Sequence, residues 1–154
     1  MAAKRREKAL ALLSGGLDST VSLAMSFEAY EPACALFFDY GQHSALREEE
    51  AAERIASHYG IEFISLRIPW VEHFSDSSLI SGKGEPPEGN EESIGGTEWR
   101  SVWVENRNGI FVNIAALVAA HRGCRVVVTG FNREEAAAFP DNSREFVERI
   151  NASL

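Results

Sequence analysis

Five consecutive apolar residues, Ala9–Leu13, run directly into the string Ser14-Gly15-Gly16-Leu17-Asp18-Ser19. An unbroken apolar run of this length suits a strand covered on both faces. Beyond the glycines, Val21, Leu23, Ala24 and Phe27 recur at helical spacing, which predicts a helix over Ser19–Tyr30. Strand, glycine turn and helix in this order point backbone N–H groups at an anion, and the helix start adds partial positive charge. Gly15 and Gly16 let the chain turn and let a phosphate approach without a β-carbon in the way, while Ser14 and Ser19 offer hydroxyls. The bland alternative is an ordinary strand-to-helix turn in which Asp18 merely caps the helix.

The rest of the chain repeats the alternation. Ala33–Phe38 reads as a second buried strand. Ala45–Tyr59 reads as a helix whose stripe is Leu46, Ala52, Ile55, Ala56 and Tyr59, ended by Gly60. Glu62–Ile68 makes a third strand, Asn108–Arg122 a helix ended by Gly123, and Arg125–Thr129 a fourth strand. Ser143–Ile150 closes the pattern as a helix capped by Ser143 or Asn142. Strands alternating with helices imply an α/β fold with a parallel sheet between helical layers, a three-layer sandwich. The 154 residues fit one domain, 1–154. The stretch 75–100, rich in Ser, Gly, Glu and Pro, is expected to be a mobile insertion, a lid over the site or plain disorder.

Charge and cysteine content narrow the partners. The net charge is −8 and the one basic run is Lys4-Arg5-Arg6, so a nucleic-acid-binding face is not expected. Cys34 and Cys124 form no CxxC pair and read as buried thiols. No apolar stretch approaches the roughly 20 residues of a membrane span, and the expected location is cytoplasmic.

Ligands of parallel sheets sit beyond the carboxyl ends of the strands. There the chain places Ser14–Ser19, then Asp39–Gln42, then Gly130–Asn132. No G-x-x-x-x-G-K-[ST] string exists, so no lysine of that kind reaches a γ-phosphate. A pyrophosphate loop without that lysine suits chemistry that releases pyrophosphate and leaves AMP on a substrate. The nucleotide-binding set is Leu13, Ser14, Gly15, Gly16, Leu17, Asp18, Ser19 and Thr20.

The full S-G-G-x-D-S string after a buried strand resembles the signature of the PP-loop ATP pyrophosphatases, whose fold is the adenine nucleotide alpha hydrolase-like sandwich. Three more strings narrow the resemblance: Phe38-Asp39-Tyr40-Gly41-Gln42, Val104-Glu105-Asn106-Arg107-Asn108-Gly109-Ile110-Phe111, and Gly130-Phe131-Asn132 with Phe139-Pro140-Asp141-Asn142-Ser143-Arg144-Glu145-Phe146 downstream. In this order they are similar to the 7-cyano-7-deazaguanine synthase family of queuosine biosynthesis, over nearly the whole chain. The resemblance implies an ATP-dependent carbon–nitrogen ligase. ATP adenylates the carboxylate of 7-carboxy-7-deazaguanine, ammonia displaces AMP, and a second activation dehydrates the amide to the nitrile. It implies ATP and Mg²⁺, a small deazapurine substrate, and a homodimer as one possible assembly. The family's C-terminal segment carries four zinc-binding cysteines; none of these is present here, so the expectation is a truncated or a naturally short relative, with no residue assigned to metal.

Individual residues carry alternatives. Arg107 is read as a bidentate grip on carboxylate or phosphate, against a surface salt bridge. Asn108 is read as a substrate contact or an N-cap. Tyr40 and Gln42 are read as base-stacking and base-reading groups, while Asp39 and Asp18 either help hold Mg²⁺ or cap. Asn132, Asp141 and Arg144 are further substrate-pocket candidates, and catalysis is assigned to Asp18 and Arg107. Competing functions are another PP-loop enzyme, such as a tRNA thiolase, and a non-catalytic ATP-sensing domain. Turnover separates the last from the rest.

Overall fold

The computed structural model describes residues 6–80, 103–134, 136 and 139–154. Four strands, β1 (Lys8–Leu12), β2 (Glu31–Asp39), β3 (Glu62–Arg67) and β4 (Val126–Val128), form one sheet in the order β3-β2-β1-β4. All three pairings are parallel. The helices are α1 (Leu17–Ala29), α2 (Ala45–Tyr59), α3 (Arg107–His121) and α4 (Arg144–Ser153).

Alternation along the strands feeds two cores. Leu10, Cys34, Leu36 and Phe38 face one side, where they meet Ala115, Ala119 and Phe111 of α3. Ala11, Leu13, Ala35 and Phe37 face the other, against Leu23 of α1 and Ala52 and Ala56 of α2. Sheet between two helical layers is the expected sandwich. Phe37, Leu10, Leu13, Leu23 and Leu36 are fully buried, each contributing about 1.5–3 kcal/mol of transfer free energy.

The bounds of α2 match the sequence pattern. Gly60 ends it in the left-handed conformation, its N–H bonded back to Ala56 and Ser57 carbonyls. Leu46, however, is not part of the buried stripe: it is 70% exposed. Six residues before Ala52, it points roughly 120° around the helix from it. Val21 of α1 is likewise half out, and Leu23 does the packing. Ser143 is the cap of α4, accepting from the Phe146 N–H.

The serine-rich start of the expected insertion is packed instead. Ser75, Ser77, Ser78 and Ile80 are buried, and Ile80 bridges Gln42 while Leu79 O accepts from His43 N. The hydroxyls bond locally, Ser75 Oγ accepting from Ser77 N and Ser77 Oγ from Leu79 N. Serine content that reads as loop is thus turn chemistry. The remainder of that expectation, 81–100, lies outside the described residues. A 3-10 turn at Pro69–His73, which the sequence pattern did not single out, links β3 to this segment. Among the described residues no helix is long and apolar enough to cross a membrane.

Cys34 and Cys124 are both buried and free. Burial first, and then the neighbouring Cys124 thiol, push Cys34 up to about 12 from 9.0. Above pH 9 the unfolded chain therefore holds fewer protons than the folded one, so this contribution to stability is intact below pH 9 and is lost as pH rises toward 12. Iodoacetamide at pH 8 should leave both thiols intact in the folded protein and alkylate both in urea, as read by mass spectrometry. Rapid native labelling would contradict the buried placement.

Candidate active site

The order β3-β2-β1-β4 reverses direction between β1 and β4, and a cleft of about 490 Å³ opens at the carboxyl ends of the strands. On one side it is lined by Leu13, Ser14, Gly16, Leu17, Asp18 and Ser19, on the other by Tyr40, Gln42, Arg107, Asn108 and Phe111. Its volume is in the range of small-molecule sites.

The loop after β1 is braced by its own atoms. Ser19 Oγ donates to Gly16 O and lies 3.2 Å from Ser14 Oγ, and Thr20 Oγ1 donates to Gly16 O at 2.7 Å. Gly16 is the N-cap of α1 and has no side chain to cap with, so the first-turn N–H groups stay available to an anion. Asp18, in the first turn of α1, does not cap it; its carboxylate accepts from Asn132 Nδ2 at 3.0 Å.

The two glycines divide the work. Gly15 has φ +79, and a β-carbon there would fall 2.8 Å from Ala51 Cβ and 2.9 Å from Glu48 O of α2. Packing against α2 thus excludes a side chain there. At Gly16 φ is −77 and a β-carbon would meet only Ser14 Oγ, at 3.4 Å, so its missing side chain leaves room on the cleft side. Gly130 holds β4's exit against α1: a β-carbon would come within 2.7 Å of Ser19 N. That contact delivers Asn132 to Asp18.

Across the cleft, Arg107 opens α3. Its Nη1 donates to Tyr40 Oη at 3.2 Å, and its guanidinium carbon lies 5.8 Å from the Tyr40 ring and 6.0 Å from the Phe111 ring. Among the described residues it has no carboxylate partner. Tyr40 is 7% exposed, its ring tilted on Phe111 with centroids 5.5 Å apart. Burial raises its pKa and Arg107 opposes the rise, so the hydroxyl stays protonated at neutral pH.

Gln42 lines the cleft, but its amide is committed. Oε1 accepts from Tyr40 N, while Nε2 donates to Phe38 O and Glu48 Oε2. It shapes the turn in place of reading a base. Asp39 caps the same turn, accepting from Gly41 N, and pairs with Arg67 at 3.5 Å. Asn108 is buried, and its Nδ2 donates to Asp141 O and Asn142 Oδ1; it ties α3 to the 3-10 turn Pro140–Asn142 and is not an N-cap. Asp141 thus contributes its carbonyl. Arg144 lies outside the cleft, 92% exposed and paired with Glu148 one helical turn on. Glu48, Phe111 and Asn142 line the cleft without having been singled out as site residues. For Glu48 a signal existed: it stands four residues after Ser44, whose hydroxyl it accepts at 2.5 Å.

A family model described as queuosine biosynthesis protein QueC matches residues 8–154. The chain belongs to the QueC family. The 7-cyano-7-deazaguanine synthase of Pelotomaculum thermopropionicum is 49% identical over 152 residues, covering 96% of this chain and 69% of the relative. That of Bdellovibrio bacteriovorus is 46% identical over 160 residues, covering 98% and 68%. That of Methanosarcina mazei is 41% identical over 152 residues, covering 94% and 66%. The strings that carry the QueC resemblance are thus the ones that build the cleft: the phosphate loop, the Tyr40 turn, the start of α3 and the segment after β4.

Among the described residues of this QueC chain, no three His, Cys, Asp or Glu side chains cluster so as to hold a metal ion alone. Asp18 is exposed and spends its carboxylate on one neutral hydrogen bond. Asp18→Ala is therefore expected to leave thermal unfolding nearly unchanged, as for most surface substitutions, roughly ±0.5 kcal/mol. Affinity for ATP with Mg²⁺, read by calorimetry, should fall at least about tenfold, or 1.4 kcal/mol. Unfolding of the variant would assign Asp18 to the scaffold.

Proposed function

We propose that this chain is the ATP-dependent ligase that makes 7-cyano-7-deazaguanine from 7-carboxy-7-deazaguanine and ammonia, through an acyl adenylate and an amide, in the cytoplasm. One observation carries the reading: a self-braced anion loop and an arginine with no acidic partner among the described residues line one cleft. The loop suits the phosphates of ATP, and Arg107 suits the carboxylate that attacks the α-phosphate. Holding the two reactants together converts a bimolecular encounter into an oriented reaction.

Asp18 supports a role for Mg²⁺. A carboxylate beside bound phosphates repels them unless a cation lies between, and Mg²⁺ is commonly held by one or two carboxylates plus substrate phosphates. Asp18 supplies that carboxylate, and Glu48 is the other acid among the described residues that line the cleft. When bound, the ion would neutralise charge on the departing pyrophosphate.

The test is substrate-dependent turnover. AMP and pyrophosphate should form from ATP only when the deazaguanine acid is present, with nitrile product seen by mass spectrometry when ammonia is added. ATP binding without acid-dependent product would favour a nucleotide sensor and overturn the ligase.

A further inference from the structure

Arg107 and Tyr40 leave two kinds of hydrogen-bond donor unspent at one point of the cleft wall. The guanidinium uses one N–H on Tyr40 Oη and meets no carboxylate among the described residues. Tyr40 Oη accepts that bond, and its own O–H has no acceptor among the described residues. A phenol buried to this degree normally satisfies its donor. Both residues line the cleft, and the Phe111 ring braces them by lying against each. Two fixed donors converging in a largely apolar wall form the arrangement that stabilises developing negative charge on oxygen.

We propose that Arg107 and the Tyr40 hydroxyl form a paired donor site for the substrate's acyl oxygen, making Tyr40 a catalytic residue of the ammonia step. This rests on the adenylation reading above. The ammonia lone pair forms the C–N bond as the carbonyl π pair moves onto oxygen, giving an alkoxide held by Arg107 and Tyr40. The surplus ammonium proton passes to water. The carbonyl then re-forms as the C–O bond to AMP breaks, and AMP leaves with that electron pair. Hydrogen bonds to an alkoxide are stronger than those to a neutral carbonyl, so the pair favours the transition state over the adenylate. Formation of the adenylate withdraws charge from the acyl oxygen, so its transition state is not favoured by the Tyr40 donor in this way.

That difference supplies the test. In purified Tyr40→Phe enzyme, acid-dependent exchange of labelled pyrophosphate into ATP should fall no more than about tenfold, the cost of the one hydrogen bond lost at Arg107. Single-turnover amide formation on adding ammonia should fall about a hundredfold, the effect of one such donor. Parallel loss of both activities would mean that Tyr40 acts only through the fold, and amide formation within about threefold of wild type would mean no donor role. Either result overturns the proposal. Arg107→Lys, which keeps the Tyr40 ring and hydroxyl, gives a second arm: it should also slow the ammonia step, and an undiminished rate overturns the paired site. Absence of acid-dependent exchange in the unsubstituted enzyme would instead sink the functional reading beneath it.

Discussion

Arg107→Ala is expected to lower kcat/KM for the deazaguanine acid about a thousandfold while the KM for ATP changes little. Two charge-assisted hydrogen bonds at about 2 kcal/mol each amount to roughly 4 kcal/mol, or three powers of ten. The fold should survive, because Arg107 sits at the start of α3 and, among the described residues, its side chain makes one hydrogen bond, to Tyr40. Steady-state kinetics with each substrate varied in turn checks this. A rise in the ATP KM, with the acid unaffected, would move Arg107 to the phosphates.

The second large effect separates the paired glycines. Gly15→Ala should destabilise the protein by about 3 kcal/mol, combining left-handed backbone strain of about 1–2 kcal/mol with overpacking against α2. For a chain of this size that lowers Tm by roughly 10 °C, and the displaced loop should lose ATP binding as well. Gly16→Ala should leave Tm nearly unchanged and still weaken ATP binding, since its β-carbon would enter only the cleft side. Differential scanning calorimetry with ATP titration distinguishes the two. Equal Tm losses would refute the division.

Sequence revealed most where the physics is local. The phosphate loop is contiguous, and its chemistry follows from strand, glycines and helix in series. The limits of α2 were readable because charges, apolar residues and Gly60 all agree there. What escaped depends on side-chain direction set from a distance. Gln42 looked like a base reader, but Phe38 O, Tyr40 N and Glu48 converge on its amide only after the turn closes. Arg144 looked like a pocket cation until the start of α4 turned it toward Glu148 and solvent. The role of Gly15 depends on α2, some thirty residues further on. The pairing of Arg107 with Tyr40 spans 67 positions and leaves no periodic trace.

The place of β1 has a consequence for how the protein is made. This strand leaves the ribosome before the other three, yet one of its edges stays open until Val126 arrives to pair with Ala9. Contacts of such long sequence separation are slow to form, and unpaired edges are sticky meanwhile. Gly130 then seats against Ser19 only after β4 has docked. The nascent chain therefore carries its phosphate loop in an unfinished form until β4 has been made, and competence to bind nucleotide reports that the sheet has closed.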